Sequence, residues 1–235
     1  MKIAINKILL SNSNRKLDSD IIVYDDIYND VSNESSFLFC SIKEARYWNK
    51  RENLNKGYVI APYFDLGITC FLPAIQNEYV NFNGEFKLVC QLNSDDIGKF
   101  CRSNSGDKLW SGQVLDEGLI SIIKDKLQPD DLLYLSDYKN FDGCEFRCWV
   151  IDEKVIEITT YDRINTKSLI LDKYDEVLKY VENINKYWTP DSLFTVDICF
   201  FNGSPKIVEY NCFATSGFYN ADVNKICNIV KEYYK

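Results

Sequence analysis

The chain contains no histidine among its 235 residues. That single absence excludes Ser-His-Asp and Cys-His catalysis, His-ligated zinc and histidine general bases. Any chemistry must run on carboxylates, lysine, arginine and a cofactor. Neither a P-loop nor a GxGxxG occurs, so the two best-known phosphate-binding fingerprints are missing. The nine cysteines form no CxxC pair. An odd cysteine count without a signal peptide points to reduced thiols and a cytoplasmic setting. The opening MKIAINKILLSNSNRK has too short an apolar run for a secretory leader, and no stretch approaches the ~20 apolar residues of a membrane span. A net charge of −8 argues against binding along a phosphate backbone, so neither a nucleic-acid nor a membrane partner is expected.

Apolar residues make up 46% of the chain and charged residues 26%, the balance of a soluble globular protein of one or two domains. Residues 2–9, 21–24 and 37–40 have strand character. Ser41 and Glu44 form a capping-box pattern that opens a helix. Further strands are expected at 58–61, 86–91, 99–102 and 132–135, and helices at 116–127, 172–188 and 222–234. In the first of these helices Leu119, Ile122, Ile123 and Leu127 share one face. Residues 144–151 and 154–160 form a hairpin turning at Asp152-Glu153.

The chemistry concentrates in VDICFFNGSPKIVEYNCFATSGFY, residues 196–219. Asp197 interrupts a run of large apolar side chains, and Glu209 and Asn211 lie two apart on the return strand, hence on one face. A three-residue loop at Asn202-Gly203-Ser204 pairs Phe201 with Pro205 and sets Asp197 opposite Glu209. A two-residue turn would flip one strand and separate them. Two carboxylates so opposed repel by about 4 kcal/mol at ~4 Å and an effective dielectric near 20. A hard cation such as Mg²⁺ would reverse that sign. The alternative is an ordinary hairpin with a polar, solvent-facing side.

Arg102, Lys108 and the Ser/Gly-rich stretch to Gly112 could cradle phosphates through backbone N–H groups and positive charge, or form a simple turn. Arg147, in EFRCWV, shares a strand face with Glu145. It reads either as a solvent-facing ion pair or as an arginine held for phosphate. Arg163 follows the next strand.

The order of these elements, with EFRCWVIDEKVI, VDICFFNGSPKIVEYNCFATSGFY and FCRSNSGDKLWSGQV, resembles the ATP-grasp superfamily. FCRSNSGDKLWSGQV adds a likeness to a clade of small stand-alone phage and bacterial members in which a lysine replaces a customary arginine. The resemblance covers residues 95–235. It implies an α+β fold in which two α+β lobes sandwich ATP, a nucleotide lobe at 96–143 and a metal-binding lobe at 144–235. Residues 1–95 would be a small α/β pre-ATP-grasp domain. It also implies Mg²⁺ on Asp197, Glu209 and Asn211, and nucleotide phosphates near Arg102 and Lys108. Adenine would be read by the backbone of Leu133, Tyr134 and Leu135, and the γ-phosphate met by Arg147, with Arg163 as a second catalytic cation. The loop Ser216–Tyr219 would line an acceptor pocket. The implied activity is ATP- and Mg²⁺-dependent ligation of a small-molecule or peptide carboxylate to an amine through an acylphosphate. A non-catalytic nucleotide-binding module with the same fold is the alternative. Phosphoryl transfer rests on positioning and charge neutralisation, so the missing histidine is no obstacle.

Overall fold

The structure, a computed structural model, describes residues 1–10, 16–25, 36–49, 58–59, 66–105, 112–161 and 167–235. Lys108 and Arg163 lie outside the described residues. Among the described residues three four-stranded sheets carry the fold.

The first sheet is parallel and joins β1 (Lys2–Asn6), β2 (Ile21–Tyr24), β3 (Ser36–Phe39) and β4 (Tyr58–Val59) in the order β2-β1-β3-β4. Ile3, Ala4 and Ile5 are fully buried in sequence, the near-continuous apolar run of a strand covered on both faces. The expected strand at 2–9 stops at Asn6, and Lys7–Leu10 is a 3-10 turn. Asn6 ends the strand itself, because its Oδ1 accepts from Ile8 N at 3.0 Å. Helix α1 (Ile42–Asn49) opens on the capping box: Ser41 N donates to Glu44 Oε2 at 2.8 Å and Glu44 N donates to Ser41 Oγ at 3.3 Å.

The second sheet is antiparallel, in the order β5-β8-β6-β7, from β5 (Glu85–Leu88), β6 (Phe100–Ser103), β7 (Gln113–Val114) and β8 (Leu132–Ser136). Helix α3 (Glu117–Lys126), capped by Asp116 Oδ1 accepting from Leu119 N at 2.7 Å, covers it with Ile120 and Ile123. Ile122, expected on the buried face, is 51% exposed. One residue of helical phase separates Ile120 from Leu119, and the inward stripe runs through Ile120.

The third sheet, β10-β9-β11-β12, comprises β9 (Phe146–Ile151), β10 (Lys154–Thr160), β11 (Leu193–Phe201) and β12 (Ser204–Cys212). One face packs Phe146, Cys148, Phe194, Val196 and Ile198 against Val177, Val181 and Ile184 of helix α4 (Lys167–Asn185). A short helix α2 (Ile68–Ile75), with no sequence signal recognised for it, adds Ile68, Phe71 and Ile75 to this core. The opposite face begins with Trp149, Ile151 and Leu193, which share a core with the first sheet and with Val223, Ile226 and Val230 of helix α5 (Val223–Tyr233). Farther along, that face turns polar.

A boundary at residue 95 does not match these layers. β5 is an edge strand of the second sheet, Phe86 pairing with Tyr134, and Leu66, Ile68, Phe71, Ile75 and Tyr79 belong to the third sheet's core. The first sheet likewise shares its core among the described residues, where Phe37 and Phe39 pack with Trp149, Phe213 and Phe218. All nine cysteines are free thiols. Among the described residues no helix is long and apolar enough to cross a membrane.

One charged group fixes the second sheet's edge. Asp96, 1% exposed, accepts Lys87 Nζ on both oxygens at 2.8 and 2.7 Å and Asn93 N at 3.0 Å. Burial opposes its ionisation, but the Lys87 and Asn93 hydrogen bonds outweigh it and hold the carboxyl below its ordinary 3.8. A folded-state value below the unfolded one stabilises at pH above the unfolded value, and that stabilisation is lost as pH falls through the folded value. Asp96→Asn is therefore expected to lower stability by about 1–3 kcal/mol at neutral pH. Denaturant unfolding should show the gap to wild type closing below about pH 4.

Candidate active site

Register decides what the polar face of the third sheet can do. The hairpin turn is Asn202-Gly203, two residues and not three, with φ of 53° and 74° and Phe201 paired to Ser204. Asn-Gly supplies two left-handed residues at little cost, as a two-residue turn of type I′ requires. By that turn alone Asp197 and Glu209 would face opposite sides. A β-bulge corrects it: Ile198 pairs with Ile207, Val208 is the extra residue, and Asp197 pairs with Glu209. The bulge thus restores the alignment that a three-residue loop was expected to provide. It also buries Ile207, in place of Val208, on the apolar face.

Asp197 is 0% exposed and Arg147 2%. They are directly opposed across β9 and β11. Arg147 Nε donates to Asp197 Oδ1 at 2.9 Å and Nη2 to Oδ2 at 2.8 Å, a bidentate pair. Tyr161 Oη donates to Asp197 Oδ2 at 2.6 Å, and Asn211 Nδ2 to the same oxygen at 3.0 Å. Arg147 Nη1 donates to Gly217 O at 3.3 Å, and Nη2 also contacts the Tyr161 hydroxyl. The guanidinium lies 4.9 Å from the Tyr161 ring centroid and 5.1 Å from that of Tyr219, and these two rings lie 4.2 Å apart, tilted by 40°. Burial disfavours the guanidinium's charge, yet the Asp197 carboxylate beside it more than compensates and holds Arg147 charged well above its usual range. Burial, then the Asp197 charge, pushes the Tyr161 phenol far up, so it stays protonated and donates.

This geometry changes two expectations. Arg147 pairs with Asp197, not with Glu145, and its donors are committed to the protein interior and not presented to a γ-phosphate. Asp197 has both oxygens occupied inside the fold, so of the three expected cation ligands Glu209 lines the cleft and Asn211 is half-buried beside it. Asn211 Nδ2 also donates to Glu209 Oε1 at 3.1 Å. That bond fixes the amide so that its two N–H groups bridge the carboxylates and its carbonyl oxygen turns away from them. Two oxygen ligands on a rigid strand suit a hard cation that draws its remaining ligands from phosphate and water. Among the described residues no cluster of three or more His, Cys, Asp or Glu is arranged to hold a metal by itself.

In front of Glu209 lies a cleft of about 650 Å³ between the second and third sheets, within the ~300–1,000 Å³ range of small-molecule sites. Arg102 enters from β6: its Nη2 donates to Glu209 Oε2 at 2.9 Å and its Nη1 to the carbonyl of the bulged Val208 at 3.4 Å. Ser103, Ser105 and Gly112 line the same wall. A Cβ at Gly112 would sit 2.2 Å from the Phe100 ring, so only glycine lets the backbone lie that close to the aromatic floor.

Leu133, Tyr134 and Leu135 do not reach the cleft. They are 0% exposed, and β8 is hydrogen-bonded on both edges, to β5 and β6. The cleft is lined instead by the segment just after β8, including Tyr138, Lys139, Asn140 and Phe141. Its end is docked on the hairpin turn, where Asp142 N donates to Phe200 O at 2.7 Å and Gly203 N donates to Asp142 Oδ2 at 2.8 Å. Sequence reasoning missed this segment. The usable signal was the loss of apolar pattern after Ser136, which marks where backbone groups leave the sheet.

Two α+β layers closing on a cleft, one bearing an arginine on a strand and the other an Asp…Glu-x-Asn hairpin, define an ATP-grasp fold. The family model for the ATP-grasp domain, R2K clade family 3, matches residues 52–230, and the chain belongs to that family. D-alanine–D-alanine ligase from Bacillus anthracis is similar over 98% of this chain and 92% of its own, at 14% identity and a TM-score of 0.54. The same ligase solved with ATP is similar over 93% and 87%, at 14% identity and 0.53. A RimK domain ATP-grasp protein from Sphaerobacter thermophilus DSM 20745 is similar over 91% and 92%, at 9% identity and 0.52. These are likenesses of fold. No curated protein matches the chain in sequence.

Removing one member of a fully buried ion pair strands the other's charge, at about 3–5 kcal/mol. Arg147→Ala is expected to destabilise the fold by that amount in denaturant titrations. The pair Arg147→Met with Asp197→Leu should recover most of the loss, because no uncompensated charge remains.

Proposed function

We propose that the protein is an ATP-dependent ligase that activates a small-molecule or peptide carboxylate for attack by an amine. The observation that carries this reading is a single cleft lined by Arg102 from one sheet and Glu209 from the other. Family membership supports nucleotide binding there. Adenine would rest against residues 138–141, where backbone groups are no longer used by the sheet. Arg102 would face the phosphates, with Ser103, Ser105 and the Gly112 backbone beside it. Glu209 and Asn211 would hold Mg²⁺, with Asp197 behind them orienting Asn211.

Bound there, Mg²⁺ would neutralise phosphate charge and align the transferring group. The chain's own residues do the positioning: Arg102 offers a charged fork to phosphate oxygens, and the buried Arg147–Asp197 pair keeps β9, β11 and the loop after β12 fixed beneath them. The substrate carboxylate oxygen would attack the γ-phosphorus, releasing ADP. The amine would then attack the acyl carbon and release phosphate. Tyr219, beside Tyr161 at the cleft wall, places the end of the Ser216–Tyr219 loop where an acceptor could enter. Lys108 and Arg163 remain proposed as further phosphate-facing cations on sequence grounds.

Glu209→Gln is expected to fold normally and to lose Mg²⁺-dependent ADP affinity by tenfold or more in calorimetric titration. A wild-type Mg²⁺ dependence in that variant would remove the metal assignment. ADP release by the wild-type chain with a panel of carboxylates and amines tests ligation itself. Tight Mg²⁺–nucleotide binding with no turnover across the panel would favour the non-catalytic module.

A further inference from the structure

Tyr79 is fully buried where the second and third sheets meet, and its hydroxyl has no hydrogen-bond partner. Its backbone runs beside the hairpin: Tyr79 forms a parallel bridge to Ile207, and Val80 N donates to Ile207 O at 2.9 Å, next to the bulged Val208. Its ring packs on Phe71 at 5.5 Å and on Tyr134 at 5.8 Å. Tyr134 is in turn the residue paired with Arg102 across β8 and β6. The Tyr79 hydroxyl thereby comes beside the Arg102 guanidinium and Asn81, both of which line the cleft. The neighbouring Tyr134 is a satisfied phenol by contrast: its Oη donates to Asn81 O at 2.6 Å and accepts from Gly84 N at 2.9 Å.

A buried hydroxyl without a partner burdens the fold, because its hydration is lost and nothing replaces it. Burial pushes the Tyr79 phenol up against the opposing pull of the Arg102 charge, so it stays neutral and keeps its lone pairs for a donor. Arg102 can supply that donor. Its guanidinium carries more N–H groups than the structure commits, Nη2 donating to Glu209 Oε2 at 2.9 Å and Nη1 to Val208 O at 3.4 Å. Resting on the nucleotide reading above, we propose that Tyr79 is a positioning residue whose hydroxyl accepts from Arg102 once that guanidinium has turned to the nucleotide phosphates. The phenol then fixes the fork from behind, out of reach of the ligand itself. Because the hydrogen bond forms only in the complex, it adds to nucleotide affinity and not to the stability of the ligand-free fold, and that is a coupling between the two.

Tyr79→Phe removes the hydroxyl and keeps the ring. In denaturant unfolding of the ligand-free chain this variant is expected to be at least as stable as wild type. In calorimetric titration with ADP and Mg²⁺ it is expected to bind about tenfold more weakly, since the hydrogen bond it lacks is one from a charged donor. In an Arg102→Met background the same substitution is expected to change that affinity by less than about twofold, because no guanidinium remains to be held. Should Arg102→Met not fold or not bind ADP, the two measurements on Tyr79→Phe decide alone. A tyrosine that serves the fold alone would lose stability on the change to phenylalanine without a selective loss of affinity. Destabilisation of ligand-free Tyr79→Phe, failure to fold included, overturns the assignment. So does wild-type Mg²⁺–ADP affinity in that variant, or an undiminished effect of the substitution in the Arg102→Met background. Each of these leaves the nucleotide site standing. Absence of ADP binding to the wild-type chain even with Mg²⁺ overturns the nucleotide reading itself, and the role of Tyr79 with it.

Discussion

The bidentate pair between Arg147 and Asp197 is the constraint on which the rest of the site depends. Two full charges are removed from water at the centre of the third sheet, which is tolerable because the carboxylate accepts one hydrogen bond on Oδ1 and three on Oδ2. Those donors come from separate places: β9, the segment after β10, and β12. The same guanidinium reaches Gly217, in the loop after the hairpin. One buried charge pair therefore locks the relative positions of the strand pair, the tilted Tyr161–Tyr219 ring pair and the Asn211 amide. Through Asn211 it also sets Glu209, the side chain that faces the cleft.

A hierarchy of exposure follows from this. Asp197 is fully interior, Asn211 is intermediate, and Glu209 stands at the cleft wall opposite Arg102. Burial is complete at Asp197, whose carboxylate is committed to protein donors, and is relieved at Glu209, which lines the cleft beside Arg102. The aromatic cluster of Phe39, Trp149, Phe213 and Phe218 extends that rigidity to the first sheet: Trp149 and Phe218 stack at 5.0 Å with an interplanar angle of 16°. The loop carrying Gly217 and Tyr219 is held from behind by this packing and from the front by Arg147.

Much of this was legible in the sequence, and the failures are instructive. The capping box at Ser41–Glu44, the hairpin turn at Asp152-Glu153 and the facing of Asp197 with Glu209 are all encoded locally, in spacing and residue type. The loop length was misread because a bulge and a turn are interchangeable in their effect on register: adding one residue at Val208 does the same work as adding one at the turn, and Asn-Gly is itself the stronger turn signal. Arg147 was assigned outward because its true partner lies on β11, some fifty residues away, and strand adjacency is a tertiary fact. The resemblance implies adenine at the backbone of Leu133, Tyr134 and Leu135, but β8 is paired on both edges, a tertiary arrangement that a likeness of element order does not reveal. Helix α2 escaped notice because eight residues with an internal proline carry little periodic signal.

The most direct measurement is a crystal structure of the wild-type chain with Mg²⁺ and a non-hydrolysable ATP analogue. The expected result has the phosphates against Arg102, the metal on Glu209 and Asn211, the base against residues 138–141, and Arg147 still bidentate to Asp197. A nucleotide bound elsewhere, or an Arg147 that has left Asp197 to contact the γ-phosphate, would contradict the account.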